Sequence, residues 1–235
     1  MHLYIKLLGL GLSLGLLNAC GGSSSSSNGT QYPVNDSVSA FMQMDHNYEL
    51  RSVSNTGGAP YTMQVSWKAG GMQSFKGTPA FTTTRTMTIF VVGTQVSKDV
   101  TTDYFLLGPY KKLGSIDSST GFVTLASNQS ALPDFAGVGQ SGDFDVENAY
   151  PAPGPVSSGG PSVARTVNTW QLQPGPTAGD ARFFEDSAIN GEAAMPTTES
   201  SGYQIDAKGN VQGVIVTLPV NGLQVTFSDV CTSCD

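Results

Sequence analysis

An all-β fold of antiparallel strands, either a β-sandwich or a partly open barrel, is what this sequence predicts. Three observations carry that expectation. Apolar and polar residues alternate through Tyr61–Lys68, so that Tyr61, Met63, Val65 and Trp67 share one face. The run Thr82–Val92 (TTTRTMTIFVV) is rich in β-branched residues and holds neither proline nor glycine. Short glycine-containing turns separate such runs, as at Asp117-Ser-Ser-Thr-Gly121 and Pro219-Val-Asn-Gly222.

The chain begins differently. Lys6 and the amino terminus precede an uncharged, leucine-rich run, Leu7–Leu17. That run has the length of a signal-peptide core and is too short to span a bilayer. Leu17-Asn18-Ala19-Cys20 closes it, and a Gly/Ser stretch follows to residue 29. These four residues resemble the lipobox of bacterial lipoproteins. The resemblance implies cleavage before Cys20 and acylation of its thiol, with the lipid bilayer as a partner. Gly21, in place of an aspartate, is similar to the class sorted to the outer membrane. The expected organisation is a signal peptide at 1–19, a lipidated Gly/Ser-rich tether at 20–35, and a β-rich domain at 36–235. A tether of that composition reaches about 20–25 Å.

Composition limits the partners. The formal net charge is −7 and charged residues make up 12% of the chain. An acidic, lysine-poor surface argues against nucleic acid, whose binding leans on Lys and Arg at phosphates. It also argues against electrostatic attachment to anionic lipid. The 28 glycines exceed the ordinary share, yet valines and aromatics recur throughout, which is not a disordered composition.

Taken in order, Val38–Leu50 has mixed spacing and is read as a strand. Ala69-Gly-Gly-Met is read as a turn before a short returning strand at 73–76. Thr101–Leu107, Tyr110–Ile116 and Phe122–Ala126 read as strands, with Gly121 supplying a positive φ. Pro151, Pro153 and Pro155 precede Val156–Pro161, and this Pro/Gly/Ser stretch reads as a loop or a subdomain break near 150–160. Val163–Leu172, Arg182–Glu185, Gly213–Leu218 and Gly222–Phe227 follow as strands, giving eleven or so and no helix after residue 19. Ile116-Asp117 and Ile205-Asp206 open similar hairpins, by duplication of a sheet or by common turn chemistry, the latter preferred.

Candidate chemistry is sparse. Cys231-Thr-Ser-Cys234 has the spacing of a redox or metal pair, but one residue follows it and no helix can lower a thiol pKa there. A disulfide between Cys231 and Cys234 is preferred, with a longer-range bond or metal use as alternatives. Asp143, Asp145 and Glu147 fall on one strand face, where calcium could use them, and a solvated face is the preferred reading. His46 follows the predicted signal and is read as an ordinary residue. No cofactor is predicted. Trp67 and Trp170 are read as core aromatics, with a ligand groove as the alternative. The function expected is non-catalytic: an envelope lipoprotein with a structural or partner-interaction role, an envelope protein or glycan being the partner. The alternative is a binding module for glycan, peptide or small ligand. The body is similar to uncharacterised exported proteins of Gram-negative bacteria that share an Ile-Asp-x-x-x-Gly hairpin, which implies no mechanism.

Overall fold

Strand pairing runs edge to edge until it meets itself. The computed structural model describes residues 29–52, 60–151, 162–191, 197–220 and 222–229. Cys20, Cys231 and Cys234 lie outside these residues. The described chain opens with β1 (Gln31–Tyr32) and α1 (Val34–Met42), then β2 (His46–Ser52), β3 (Tyr61–Phe75), β4 (Thr78–Val91), β5 (Thr94–Leu106), β6 (Lys111–Asp117) and β7 (Val123–Ser127). β8 (Ala136–Gly137) pairs with β1 in a two-stranded ribbon. β9 (Ser141–Tyr150), β10 (Ala164–Pro174), β11 (Asp180–Gly191), β12 (Thr197–Asp206), β13 (Val211–Val220) and β14 (Leu223–Ser228) complete the chain. β2 to β7 and β9 to β14 form one closed antiparallel barrel of twelve strands, sealed by β14 against β2 through Phe227 opposite Ser52 and Ser228 opposite Arg51. Closure pairs every strand edge, which a sandwich leaves open. The expected all-β fold is therefore a barrel, fully closed rather than partly open. β9 and β10, which flank residues 152–161, pair directly within this one barrel, Ala149 opposite Ala164.

The largest departure from the sequence reading is α1. Val34, Val38, Phe41 and Met42 are spaced for one helical face and all are buried. The strand-like alternation of Val38, Ala40, Met42 and Met44 arises because it straddles α1 and the turn into β2. Asn35, expected in the tether, lies inside the helix, and Tyr32 before it is also buried. The helix sits inside one end of the barrel. Phe41 is 1% exposed and meets Trp67 edge-on at 5.1 Å and Tyr203 at 4.8 Å. His46 stacks on Phe41 at 4.0 Å and donates from Nε2 to the Phe41 carbonyl at 3.1 Å, satisfying an acceptor at the helix C-terminus.

Polar groups fix the plug's position. The backbone N–H of Tyr110 donates to Asn35 Oδ1 at 2.8 Å, the Asn35 N–H donates to Pro133 O at 3.2 Å, and Thr83 Oγ1 donates to Met42 O. At Gly209, in the β12–β13 turn, a Cβ would stand 2.7 Å from Pro33 and 2.8 Å from Ser37 Oγ, so the helix start packs on bare backbone. Asn35→Ala should cost about 1–3 kcal/mol, because it leaves a buried N–H without its acceptor. A urea denaturation midpoint equal to that of the unaltered protein would show that this contact does not hold the plug.

Two turn readings also resolve. Ala69-Gly-Gly-Met is a bulge inside β3: between Gly70, opposite Thr82, and Gln73, opposite Ala80, the two residues Gly71 and Met72 face Phe81 alone. The chain turns instead at Lys76-Gly77, both at positive φ. Beyond the bulge the hairpin lies over the outside of the barrel, where Phe75 stacks on Tyr104 at 4.4 Å. Gly114 admits it, since a Cβ there would meet Phe75 at 2.9 Å and the Thr124 carbonyl at 2.2 Å.

Asp117 and Asp206 each accept from backbone N–H groups of their own turn, at 2.7 Å from Ser119 and 2.8 Å from Lys208. The two turns lie at opposite ends of the barrel, because β6 and β12 run in opposite directions. That is local turn chemistry rather than a repeat about the barrel axis. On the outside, the contiguous row Glu49, Gln64, Thr88 and Lys98 crosses β2 to β5. A lipid-facing barrel carries an apolar belt there. Among the described residues no helix is long and apolar enough to cross a membrane.

Candidate functional site

Alternation places every second residue of each barrel strand inside. Near α1 the inward residues are apolar and close the core: Leu50, Met63, Val65, Phe105, Leu172, Phe183 and Phe227 are all buried. Farther along the same strands the inward positions turn polar. Trp67 faces Arg85 across β3 and β4, and Arg85 faces Thr101 on β5. Thr83 faces Asp103, which faces Ser115 on β6. Asn168 faces Ser187, and Ser187 faces Glu199.

These residues surround a cavity of about 660 Å³, within the ~300–1,000 Å³ of small-molecule sites. Its floor is Met42, Trp67, Tyr110 and Tyr203, above the helix plug. At the other end it is bounded by Val96, Phe122, Ile189 and Val220. That end is where β2, β4, β6, β9, β11 and β13 finish.

The middle of the lumen is charged. Lys112 Nζ stands 2.9 Å from Glu147 Oε1 and 3.3 Å from Asp103 Oδ1. Burial works against the ammonium, but Glu147, Asp103, Glu185 and Asp145 together hold its pKa well above the ordinary lysine value. Arg85 is also desolvated and lies in the field of Asp103, Asp99 and Glu199, which keep it charged. Beside them a polar chain runs through the wall: Ser187 Oγ donates to Asn168 Oδ1 at 2.7 Å, and Asn168 Nδ2 donates to Asp145 Oδ1 at 2.6 Å. Asp145 Oδ2 has no hydrogen-bond partner among the described residues. Burial, then the neighbouring Glu147, push the Asp145 carboxyl up to about 6 against the pull of Lys112 and Asn168. Glu185 lines the cavity, and burial lifts it to about 7 although Lys112 pulls the other way. The Tyr110 and Tyr203 hydroxyls are raised by burial first and by Glu185 next.

The sequence-predicted residues fall as follows. Asp143, Asp145 and Glu147 do not share a solvated face. A bulge at Phe144–Asp145 sets two residues opposite Asn168, so Asp143 is exposed while Asp145 (4% exposed) and Glu147 (8%) are buried within the barrel. Among the described residues no group of three or more His, Cys, Asp or Glu side chains is placed to hold a metal. Trp67 is buried in the cavity floor, and Trp170 is a core residue beside Phe183. Arg85, Lys112, Glu185 and Glu199 were not singled out by the sequence reading. Their signal is parity: Arg85 shares its face with Met87 and Ile89, and Glu185 shares its face with Phe183.

The fold and the lumen define a twelve-stranded closed β-barrel, plugged at one end by its own N-terminal helix and hollow and charged at the other. Compared with known protein families, curated proteins and solved structures, the chain gives no match.

Proposed function

We propose that this barrel is a non-catalytic binding module that receives a small ligand in its lumen, presented from a bacterial envelope by acylated Cys20. The observation that carries the binding reading is the cavity of about 660 Å³ above the plug, with charged groups at mid-depth and apolar residues at its mouth. Concave sites of this size with a few convergent polar groups are the usual form of ligand pockets.

The anchoring part rests on the sequence at 17–29 and gains a geometric rationale. Residue 29 leads through β1 and Pro33 into α1, so a tether would leave the barrel from its plugged end. The mouth then faces away from the membrane, where a ligand can reach it.

Thermal melts of the full chain against a panel of amines, sugars, carboxylates and short peptides test the binding reading. At least one class should raise Tm in the unaltered protein and have no effect on Ile189→Trp, whose indole fills the mouth. Thr166→Trp serves if that variant does not fold. Protection that persists in the filled barrel, or no protection by any class, overturns the reading. Intact mass of the N-terminus tests the anchor separately: a free thiol at Cys20 removes the anchor and leaves the binding reading standing.

A further inference from the structure

We infer that the ligand is an organic cation, an ammonium or guanidinium carried on an extended apolar body, with its charged head beside Glu185. The inference rests on the binding reading above and adds the ligand's chemistry. Six carboxylates line the cavity, Asp99, Asp103, Asp117, Glu147, Glu185 and Glu199, against two cations, Arg85 and Lys112. The formal excess is four negative charges in one concave space, whose walls focus their field.

Of the two cations, Lys112 is already committed. Lys112 is held between Asp103 and Glu147. Arg85 lies in the field of Asp103, Asp99 and Glu199 without an ion pair within 4.0 Å among the described residues, and its buried Nε has no hydrogen-bond partner there, but these acids already outnumber it. Glu185 faces the cavity and makes neither a hydrogen bond nor an ion pair within 4.0 Å with a described residue. Behind it, the deeply buried Asp145 leaves Oδ2 unpartnered among the described residues. A carboxylate held in a low-dielectric site without a partner is costly, and an arriving cation relieves that cost. An anion would add to it.

The walls match a cation with an apolar body. Trp67, Tyr110 and Tyr203 form the floor, where aromatic faces attract a positive head. Val96, Phe122 and Ile189 at the mouth offer apolar surface to the rest of the molecule. The carboxylates do not converge as a three-ligand set, which favours an organic cation over a bare metal ion.

Calorimetric titration of the full chain at pH 8 with three probes of one shape provides the test: 1,8-diaminooctane, 1,8-octanediol and suberate. The diamine should bind, and the diol and suberate should not. Glu185→Gln should weaken the diamine about tenfold or more, the loss expected for a charge-assisted contact. Its melting temperature at pH 8 should not fall, so weaker binding would not reflect unfolding. Ile189→Trp should abolish binding. Suberate or diol binding that is lost in Ile189→Trp, with the diamine silent, overturns the cation assignment and leaves the binding module intact. Diamine binding unchanged in Glu185→Gln also overturns it. Silence of all three probes, with another class of the panel still protecting the open barrel, overturns the cation assignment alone; silence of the whole panel overturns both readings.

Discussion

Replacing Lys112 with methionine should cost about 3–5 kcal/mol at pH 8, a large fraction of the ~5–15 kcal/mol that holds a typical domain folded. Lys112 is the only ammonium within ion-pair distance of both Asp103 and Glu147 among the described residues, and all three side chains are largely withdrawn from water. Methionine fills a similar volume, so the change isolates the charge. It leaves two buried carboxylates facing each other, with Glu185 and Asp145 nearby. The raised lysine pKa fixes the sign of the pH dependence. A lysine raised by its partners contributes stability at every pH below its ordinary value and loses that contribution only as pH climbs through the folded value. The ammonium is therefore constant between pH 5 and 8, and any change in the variant over that range comes from carboxylates. At pH 5 Glu185 and Asp145, no longer pulled down by Lys112, take up protons more readily, so Lys112→Met should recover part of its stability there. Melts followed by circular dichroism at pH 5 and pH 8 would show it. A variant as stable as the unaltered protein at pH 8 would mean that the lumen is wet enough to solvate both acids.

The lumen's charges were hidden in the sequence for the same physical reason that its strands were plain. Two-residue alternation in Tyr61–Lys68 and Thr82–Val92 reports that one face is withdrawn from solvent, and β3 and β4 lie where that pattern places them. It does not report that the withdrawn face encloses a cavity. Arg85 interrupts a run of threonines and looks like a surface residue until its parity with Met87 and Ile89 is counted. Asp145 and Glu147 look solvated because a bulge, which no local pattern announces, turns Phe144 and Asp145 inward together. The helix was obscured by length. Nine residues of α1 abut β2 after a three-residue turn, and a window spanning both shows two periods at once. Closure of β14 on β2 is a contact between strands distant in sequence, set by barrel curvature rather than by residues near either strand. Turn chemistry was legible at Gly121 and Gly222, which take the positive φ that their hairpins require, whereas Ala69-Gly-Gly-Met carried a turn signal and forms a bulge.

Between pH 5 and pH 8 the unaltered barrel should lose stability as pH rises, on the order of a few kcal/mol, with Glu185 and Asp145 as the main source. Both carboxyls are raised by burial, to about 7 and about 6. In the unfolded chain they return to the usual carboxylate range near 4. From there up to about pH 7 the folded state binds more protons than the unfolded state, so each step upward in pH favours unfolding. Their stabilising protonation is complete below the unfolded value and gone above the folded one. Glu199, raised by burial despite Arg85, adds to the same trend. Asp206 acts in the opposite sense, because hydrogen bonds led by Asn210 lower it, but its window lies below the ordinary aspartate value and outside this range. Arg85 and Lys112 stay charged throughout. Glu185→Gln tests the assignment. The amide cannot ionise, so it should leave Tm nearly unchanged at pH 5 and raise it at pH 8, flattening the profile. The gain is expected even though Lys112 loses an attractive neighbour, because for Glu185 burial outweighs that attraction. A flat profile in the unaltered protein would refute burial of these acids, and a lower Tm for Glu185→Gln at pH 8 would show that Lys112 needs the third carboxylate more than the lumen resists it.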